Sequence, residues 1–342
     1  MDESGRCGRA TTRRRFLQQA ATLAAATVSG GRLSAAAKDA DAIPIIDTHQ
    51  HLWDLSKFRL SWVRGNARLN RSFVTDDYLQ ATKGSNVVKA IYMEVAVDPD
   101  QQQEEAEYVI ELCRSGQHPT VAAVISGQPA SEDFAPYVQA YRDSPYVKGV
   151  RQVLHSSSTK PGLCLTESFV RSMRLLGDLG MRFDLCMRPA ELQHGARLAD
   201  LCPDTRFVLD HCGNPDPQDF RATGAGADEM RRRQQWRRDI GQMAQRKNMV
   251  CKISGIVARA TPGTWTADDL APIVNHCLDE FGPDRVMFAS DWPVCTQTAT
   301  LAQWVHALQQ IVADRSYEHQ MKLFHHNAQR FYQLSSAAKV SR

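Results

Sequence analysis

The stretch Ile45-Ile46-Asp47-Thr48-His49-Gln50-His51-Leu52-Trp53 begins as a short apolar strand and ends in two histidines. Side chains of a β-strand alternate between its two faces, so the imidazoles of His49 and His51 point to the same side. Two imidazoles on one side can chelate a divalent metal or donate hydrogen bonds to an oxyanion. The stretch therefore predicts a strand that carries a functional site at its end.

Seven more β-rich apolar runs follow, and segments with helical spacing separate them. The eight predicted strands cover residues 43–48, 87–95, 120–126, 147–153, 181–187, 206–210, 249–254 and 285–289. Apolar strands that alternate with amphipathic helices indicate a parallel sheet covered by helices. Eight such units favour a single-domain (β/α)8 TIM barrel. An open doubly wound sheet is the alternative, but no glycine-rich phosphate turn follows any of the strands.

The composition is that of a globular protein, with 43% apolar and 23% charged residues in a chain of 342. These proportions exclude a disordered protein, a collagen-like repeat and a coiled coil. No stretch of about 18 residues is uninterruptedly apolar, so we expect no membrane anchor. The nine cysteines include no Cys-x-x-Cys pair, which argues against a zinc ribbon or a thioredoxin-like site.

The net charge of +3 comes mostly from residues 1–37, which carry six arginines against two acidic residues. The rest of the chain has 35 basic and 36 acidic residues and is therefore close to neutral. A nucleic-acid-binding protein is for this reason a poor interpretation. The basic run 231–238 has acidic neighbours on a predicted helix, and we expect it to form a solvated helix face.

The N-terminal segment resembles an export signal of the twin-arginine type. The motif Thr12-Arg13-Arg14-Arg15-Phe16-Leu17 precedes a weakly apolar stretch, 20–28, and the small residues Ser34-Ala35-Ala36-Ala37 offer a cleavage site. We therefore expect residues 1–37 to be a signal peptide and residues 38–342 to form the mature barrel, in the periplasm or outside the cell. A basic N-terminus without function is the alternative.

Removal of the signal peptide would leave eight cysteines, an even number that permits disulfides in an oxidising compartment. Cys186 and Cys251, however, lie inside apolar runs, where cysteine usually packs as a small core residue. The sequence therefore leaves the disulfide content open.

Polar and titratable residues follow or end most of the predicted strands. In a barrel, residues at the carboxyl ends of the strands face the active site. The candidates in strand order are His49 and His51, Glu94, Arg151 and His155, Arg188, Asp210 and His211, and Asp291. Since these groups come from six of the eight strands, we expect one site at this rim of the barrel.

Each candidate has a functional and a structural interpretation. Asp291 follows the eighth strand, where a carboxylate can accept a proton from water, or it is a turn residue before Pro293. His211 can ligate a metal or polarise a carbonyl, or it is a residue oriented by a neighbouring carboxylate. Arg151 and Lys252 are costly to bury inside strands, so each recognises a substrate oxygen or forms a structural salt bridge.

In these motifs the sequence resembles the amidohydrolase superfamily, and most of all its TIM-barrel lactonases. That group includes L-fuconolactonases, L-rhamnonolactonases and 2-pyrone-4,6-dicarboxylate lactonases. The matching stretches keep their order over residues 43–334. They are 45–53, 149–155, 208–215, 251–255, 290–293 and 327–332.

The resemblance implies hydrolysis of a small cyclic ester, a sugar-acid lactone or a related lactone, by attack of water on the carbonyl. Asp291 would be the general base, with His49, His51 and His211 completing the catalytic set. The implied substrate-binding residues are Arg151, His155, Trp53, Glu94 and Arg188. Two alternatives stay open: a metal-dependent decarboxylase of the same superfamily, and a non-catalytic binding protein on the same scaffold, which would not need Asp291.

The sequence departs from the binuclear members of the superfamily, which use a carboxylated lysine after strand four and a histidine after strand five. Here strand four offers Arg151, and strand five ends in Cys186-Met187-Arg188. A two-metal site is therefore not expected. One Zn²⁺ held by His49, His51, His211 and Asp291, and a lactonase without metal, are equally consistent with the sequence. The oligomeric state stays open, and a homo-oligomer is compatible with the sequence.

Overall fold

The computed structural model describes residues 43–221 and 226–334. Eight strands, all parallel, pair in chain order from β1 to β8. They are β1 Ile45–Gln50, β2 Val87–Met93, β3 Thr120–Ser126, β4 Val147–Val153, β5 Arg182–Cys186, β6 Arg206–Leu209, β7 Met249–Ile253 and β8 Val286–Phe288. The eight predicted strands are confirmed, with ends that differ by one or two residues. The largest change of type is at Asp210, which begins a helical turn after β6.

Helices alternate with the strands, as a TIM barrel requires. They are α1 Thr75–Ala81, α2 Gln102–Ser115, α3 Phe134–Gln139, α4 Glu167–Asp178, α5 Leu192–Leu201, α6 Ala227–Ala244, α7 Ala267–Phe281, α8 Leu301–Ile311, α9 Tyr317–Met321 and α10 Asn327–Phe331. Among the described residues, no helix combines the length and the apolar character needed to cross a membrane.

Closure of the barrel depends on the segment after the short strand β8. The backbone N–H of Asp291 donates to the carbonyl of His49 (3.0 Å), and the N–H of His51 donates to the carbonyl of Trp292 (2.8 Å). Asp47 strengthens this junction, since its carboxylate accepts from the backbone N–H of Ser290 (2.8 Å) and from the Ser290 hydroxyl (2.5 Å). The first strand is thereby fixed against the residues that follow the last.

The lower part of the barrel interior is apolar. Ile46, Ile91, Val124, Val208 and Met287 form a buried cluster, and Tyr332 and Leu334 of the C-terminal segment pack against it. A larger cluster fills the space between the strands and the helices. Polar side chains inside the barrel therefore concentrate towards the carboxyl ends of the strands, where the site was predicted.

The basic run 231–238 lies on α6, and its arginines are mostly exposed, as predicted. Arg231 pairs with Asp228 and Arg232 with Asp219, while Trp236 faces the core. The eight cysteines of the described residues are all buried free thiols. The predicted signal peptide, residues 1–37, lies outside the described residues.

Candidate active site

Three predicted residues meet at the rim of the barrel, and we call His49, His51 and Asp291 the rim cluster. Nε2 of His49 and Nε2 of His51 are 3.1 Å apart. Oδ1 of Asp291 is 3.5 Å from Nε2 of His51 and 3.8 Å from Nε2 of His49. All three side chains are buried. One carboxylate and two imidazoles therefore face one another across a gap that a single metal ion or a shared proton could bridge.

Hydrogen bonds fix which nitrogen of each histidine carries the proton. Nδ1 of His51 lies 3.0 Å from the carbonyl of Met93, which can only accept, so His51 donates from Nδ1. Nε2 of His49 lies 3.2 Å from Nη1 of Arg151, and a guanidinium can only donate. His49 therefore carries its proton on Nδ1, 3.4 Å from Oδ1 of Asp210. Nε2 of His49 therefore presents a lone pair to the rim cluster.

The charge state of His49 follows from its surroundings. Its imidazole is completely buried, and this desolvation lowers the pKa of His49 well below its usual value, although Asp210 acts in the opposite direction. His49 is thus neutral at physiological pH. A neutral imidazole with a free lone pair is the form that binds metal or accepts a proton.

The donor set of the rim cluster fits one divalent metal. Four-coordinate zinc holds nitrogen and oxygen ligands at about 2.0–2.2 Å, which places ligand atoms about 3.3–3.5 Å from one another. The three separations in the rim cluster, from 3.1 to 3.8 Å, bracket that value. The Arg151 guanidinium shares the lone pair of His49, so a metal would compete with this hydrogen bond.

Asp291 is held in an unusual backbone conformation. Its φ of 55° lies in the left-handed region, which costs a non-glycine residue of order 1–3 kcal/mol. Its N–H donates to His49, and its carbonyl accepts from the N–H of Cys295 (2.8 Å). These bonds hold the strained turn and direct the carboxylate towards the histidines, which agrees better with a functional role than with an ordinary turn residue.

Inside the strands lies a set of ion pairs, which we call the ion-pair layer: Glu94, Arg151, Asp184, Asp210 and Lys252. Nε of Arg151 is 2.5 Å from Oε1 of Glu94, and its Nη2 donates to the carbonyl of Glu94 (2.7 Å). Nζ of Lys252 is 2.5 Å from Oδ2 of Asp184 and 3.3 Å from Oδ1 of Asp210. For both cations the structural interpretation, a buried salt bridge, is observed.

The two aspartates that face Lys252 have pKa values shifted in opposite directions. Burial raises the pKa of Asp184 to about 7, although Lys252 opposes the shift. Burial would also raise the pKa of Asp210, but Lys252 and His49 hold it well below its usual value. Asp210 is therefore the permanently ionised member. The sequence analysis missed Asp184, whose signal is an acidic residue between Phe183 and Leu185 in an apolar strand.

His211 packs against His49, with ring centroids of the two histidines 4.5 Å apart. Its Nδ1 is 2.9 Å from the Ser254 hydroxyl. Its candidate metal-binding group contains His49 and Asp210, whereas Asp291 groups with His49 and His51. The predicted set of four metal ligands therefore separates into two groups that share His49.

Two predicted substrate-binding residues, Arg188 and Trp53, lie outside this centre, while a third, His155, lies at its edge, where His211 and Arg151 act on it electrostatically. The Arg188 guanidinium donates to the carbonyls of Ser156 (2.5 Å) and Thr159 (2.7 Å), so it holds the loop after β4. Trp53 is 1% exposed and donates to the carbonyl of Arg71 (2.6 Å), which makes it a core residue. His155 is exposed beyond the end of β4.

Glu105, on α2, is a further buried acid that the sequence analysis missed. Oε1 of Glu105 accepts from the Tyr92 hydroxyl (2.9 Å) and from the N–H of Val95 (2.7 Å), next to Glu94. Burial, reinforced by Glu94, raises the pKa of Glu105 to about 8. Glu105 is therefore protonated at neutral pH. Its signal in the sequence is a glutamate beside Ala106 and one turn before Val109, on the apolar face of a helix.

Comparison with known proteins gives consistent results. The L-fucono-1,5-lactonase of Burkholderia multivorans is 26% identical over 265 residues, which cover 75% of this chain and 84% of that protein. The L-rhamnono-gamma-lactonase of Scheffersomyces stipitis is 24% identical over 298 residues, or 73% of this chain and 85% of that protein.

A crystal structure of a Burkholderia multivorans amidohydrolase with bound zinc has a TM-score of 0.74 at 24% identity, and the match covers 85% of this chain and all of that one. At this identity the structural match establishes the fold. A family model described as amidohydrolase, Amidohydro_2, matches residues 46–334, which include the whole rim cluster and the ion-pair layer. The chain belongs to this amidohydrolase family.

Proposed function

We propose that this chain is a lactonase that opens the ring of a small sugar-acid lactone. The observation that carries the proposal is the position of the Asp291 carboxylate, 3.5 Å from Nε2 of His51 and 3.8 Å from Nε2 of His49 in a buried centre at the barrel rim. The names of the relatives, L-fucono-1,5-lactonase and L-rhamnono-gamma-lactonase, support the same substrate class.

In the proposed reaction Asp291 accepts a proton from the water that attacks the lactone carbonyl. The carbonyl oxygen becomes an oxyanion, and Nη1 of Arg151 is the nearest cationic donor to the rim cluster. His211, oriented by Ser254, packs against the ring of His49. The proton taken by Asp291 then passes to the ring oxygen as the C–O bond breaks, which yields the open hydroxy acid.

One divalent metal, zinc by the chemistry of the donors, would be held by His49, His51 and Asp291. When bound, it would polarise the carbonyl and lower the pKa of the attacking water. The chain itself supplies two imidazoles, the Asp291 carboxylate and the Arg151 guanidinium next to them. We expect at most one divalent ion per chain, because β4 carries Arg151 near its end and β5 ends in Cys186, where the binuclear members of the superfamily use a lysine and a histidine.

Elemental analysis of protein dialysed after loading with Zn²⁺ tests this stoichiometry. The expected result is one equivalent or none in the wild type and, if one is found, its loss in His51→Ala and its retention in His155→Ala. Two tightly bound divalent equivalents would contradict the proposal for the metal site.

The ion-pair layer favours an uncharged substrate. Both buried cations, Arg151 and Lys252, already meet a carboxylate at 2.5 Å, so neither offers an unpaired charge to a substrate carboxylate. A neutral sugar lactone fits such a centre better than a pyrone dicarboxylate does.

A substrate panel tests the function directly. We expect the wild type to hydrolyse 1,4- or 1,5-lactones of sugar acids, measured as acid release with a pH indicator, and to leave 2-pyrone-4,6-dicarboxylate unchanged. Carbon dioxide release from an aromatic acid would identify the decarboxylase alternative. Tight lactone binding without turnover, measured by calorimetry, would identify the binding protein.

Export remains part of the proposal. Replacement of Arg13 and Arg14 by lysine is expected to retain the precursor in the cytoplasm, because the paired arginines are the feature on which the resemblance rests. Fractionation of cells that express both forms measures this. Normal export of the lysine variant would refute the twin-arginine assignment.

A further inference from the structure

Three buried thiols meet on the outside of the barrel wall. Cys212 follows β6, Cys251 lies in β7 and Cys277 lies in α7. Their sulfur atoms are all within 4.8 Å of one another, and each residue is 0% exposed. The cluster is therefore built from three separate elements, and none of its members belongs to the rim cluster or the ion-pair layer.

The backbone at Cys212 adopts a costly conformation in this position. Its φ is 54°, and the neighbours His211 and Gly213 also have positive φ values, of 55° and 75°. Consecutive left-handed residues are unfavourable for L-amino acids other than glycine, by roughly 1–2 kcal/mol each. The Trp236 indole donates to the carbonyl of Cys212 (2.9 Å) and holds the turn. This turn directs His211 into the barrel and Cys212 into the thiol cluster.

The number and chemical type of the sulfur donors determine which metal ion fits this cluster. Thiolates are soft ligands that favour copper(I) and zinc among biological metals. Structural zinc is almost always four-coordinate, and within the described ranges no fourth histidine, cysteine or carboxylate joins this group. Three sulfurs bound to one ion at about 2.3 Å lie about 4 Å apart, which is compatible with separations that are all within 4.8 Å.

We propose that Cys212, Cys251 and Cys277 form a three-coordinate thiolate site for one soft monovalent ion, copper(I). Binding forms Cu–S bonds and releases the thiol protons to solvent, and the copper stays in its monovalent state. This site is distinct from the divalent site of the rim cluster and does not depend on the proposed lactonase activity. Since the ion would link β6, β7 and α7, its role would be to stabilise this side of the barrel.

Anaerobic titration with copper(I), supplied as its acetonitrile complex against a bicinchoninate competitor, tests the proposal. We expect one tightly bound equivalent in the wild type with ultraviolet sulfur-to-copper charge-transfer absorption. Cys277→Val, which keeps the side-chain volume and removes the thiol, is expected to lose that equivalent and the absorption. Cys113→Ala, at a buried cysteine on α2, is the matched control and is expected to keep both.

Thermal unfolding supplies a second measurement. An ion that binds only the folded state raises the melting temperature, so copper(I) is expected to raise it in the wild type and not in Cys277→Val. His51→Ala separates the two metal sites and is expected to keep the charge-transfer absorption. If Cys277→Val does not fold, Cys251→Ala takes its place. Equal copper uptake by the wild type and the cysteine variant, or uptake without the absorption, would overturn the proposal.

Discussion

The rim cluster and the ion-pair layer both consist of buried titratable side chains, but the two groups differ in the partners that these side chains have. At the rim, Nε2 of His49 and Oδ1 of Asp291 are 3.8 Å apart, and both are acceptors. In the ion-pair layer, Lys252 meets Asp184 at 2.5 Å, and Arg151 meets Glu94 at the same distance. Every cation of the layer thus has an anion, whereas the rim brings acceptors together.

This difference indicates a catalytic role for the rim cluster and a stabilising role for the ion-pair layer. Buried acceptors that face one another cost free energy until a cation or a proton arrives between them. A carboxylate in such a position is ready to accept a proton from water. Paired charges, in contrast, are costly to disturb and hold the strands that carry them in place. We therefore expect rim substitutions to affect turnover and ion-pair substitutions to affect stability.

The largest effect is expected from Asp291→Asn. Asparagine keeps the size and tolerates the left-handed backbone but cannot accept a proton at neutral pH. Loss of general-base assistance lowers kcat by about 10²–10⁴-fold, with a much smaller change in KM. Steady-state kinetics and thermal unfolding together measure this.

Asp47→Asn is the matched control for Asp291→Asn. Asp47 accepts from Tyr78 (2.8 Å) and twice from Ser290, so its change is expected to lower the melting temperature. Near-normal turnover by Asp291→Asn would show that another group, such as a rim histidine, is the base. A drop of several degrees in its melting temperature would favour the turn-residue interpretation.

Lys252→Met is expected to have the next largest effect, on stability. It leaves Asp184 buried without its cation and removes one of the cations beside Asp210, and removal of one member of a buried ion pair costs about 3–5 kcal/mol. Urea unfolding measures the change, and the double variant Lys252→Met/Asp184→Asn is expected to recover part of it. Lys247→Met, at an exposed lysine just before β7, is the control and stays within about 0.5 kcal/mol. Equal stability of the two single variants would contradict the stabilising role of the ion-pair layer.

Glu105 is expected to make the stability of the protein depend on pH. Its folded-state pKa of about 8 lies above the ordinary value of 4.5, so its contribution to stability is complete below pH 4.5 and is lost as pH rises through about 8. Glu105→Gln keeps a neutral side chain and is expected to remove that part of the pH dependence. Urea unfolding from pH 5 to 9 measures the difference. Glu104→Gln, at an exposed position of α2, is expected to retain the wild-type profile.

The smallest effect is expected from Gly255→Ala, next to His211. A Cβ at residue 255 would lie 2.5 Å from Cγ of His211, and its φ of 70° strains any side chain. We expect displacement of the His211 ring, a fall in kcat/KM and a loss of about 1–2 kcal/mol of stability. Gly263→Ala has a similar φ, 77°, with no atom within 4 Å, so it isolates the backbone strain. Equal kinetics of the two variants would show that the position of His211 does not matter for turnover.

The strands were predictable because a buried parallel strand is marked by its own apolar run. The rim residues were predictable for a related reason, since the carboxyl end of such a strand has a fixed place in a barrel. His49, His51 and Asp291 follow from these two rules.

Pairings between distant elements were not predictable. Nothing in the sequence near Arg151 shows that it forms an ion pair with Glu94. Nothing near Lys252 shows that it forms one with Asp184. The cysteine cluster has the same origin, because its three members are separated by tens of residues and meet only through the strand order. Trp53 shows the converse, since the family resemblance implied a contact with substrate, and the β1–α1 loop buries this side chain instead.

The junction made by Asp47 has a consequence for how the barrel forms. Asp47 and Ser290 are 243 residues apart, so their hydrogen bonds close a loop that spans nearly the whole described chain. Contacts of such long range are slow to form, because the entropy of closing the loop is lost before the contact contributes.

The same junction completes the rim cluster, whose histidines lie on the first strand and whose carboxylate follows the last. An intermediate with seven paired strands would contain most of the secondary structure and no assembled centre. During refolding, recovery of activity should therefore coincide with the slowest phase, while the circular dichroism of the helices returns earlier.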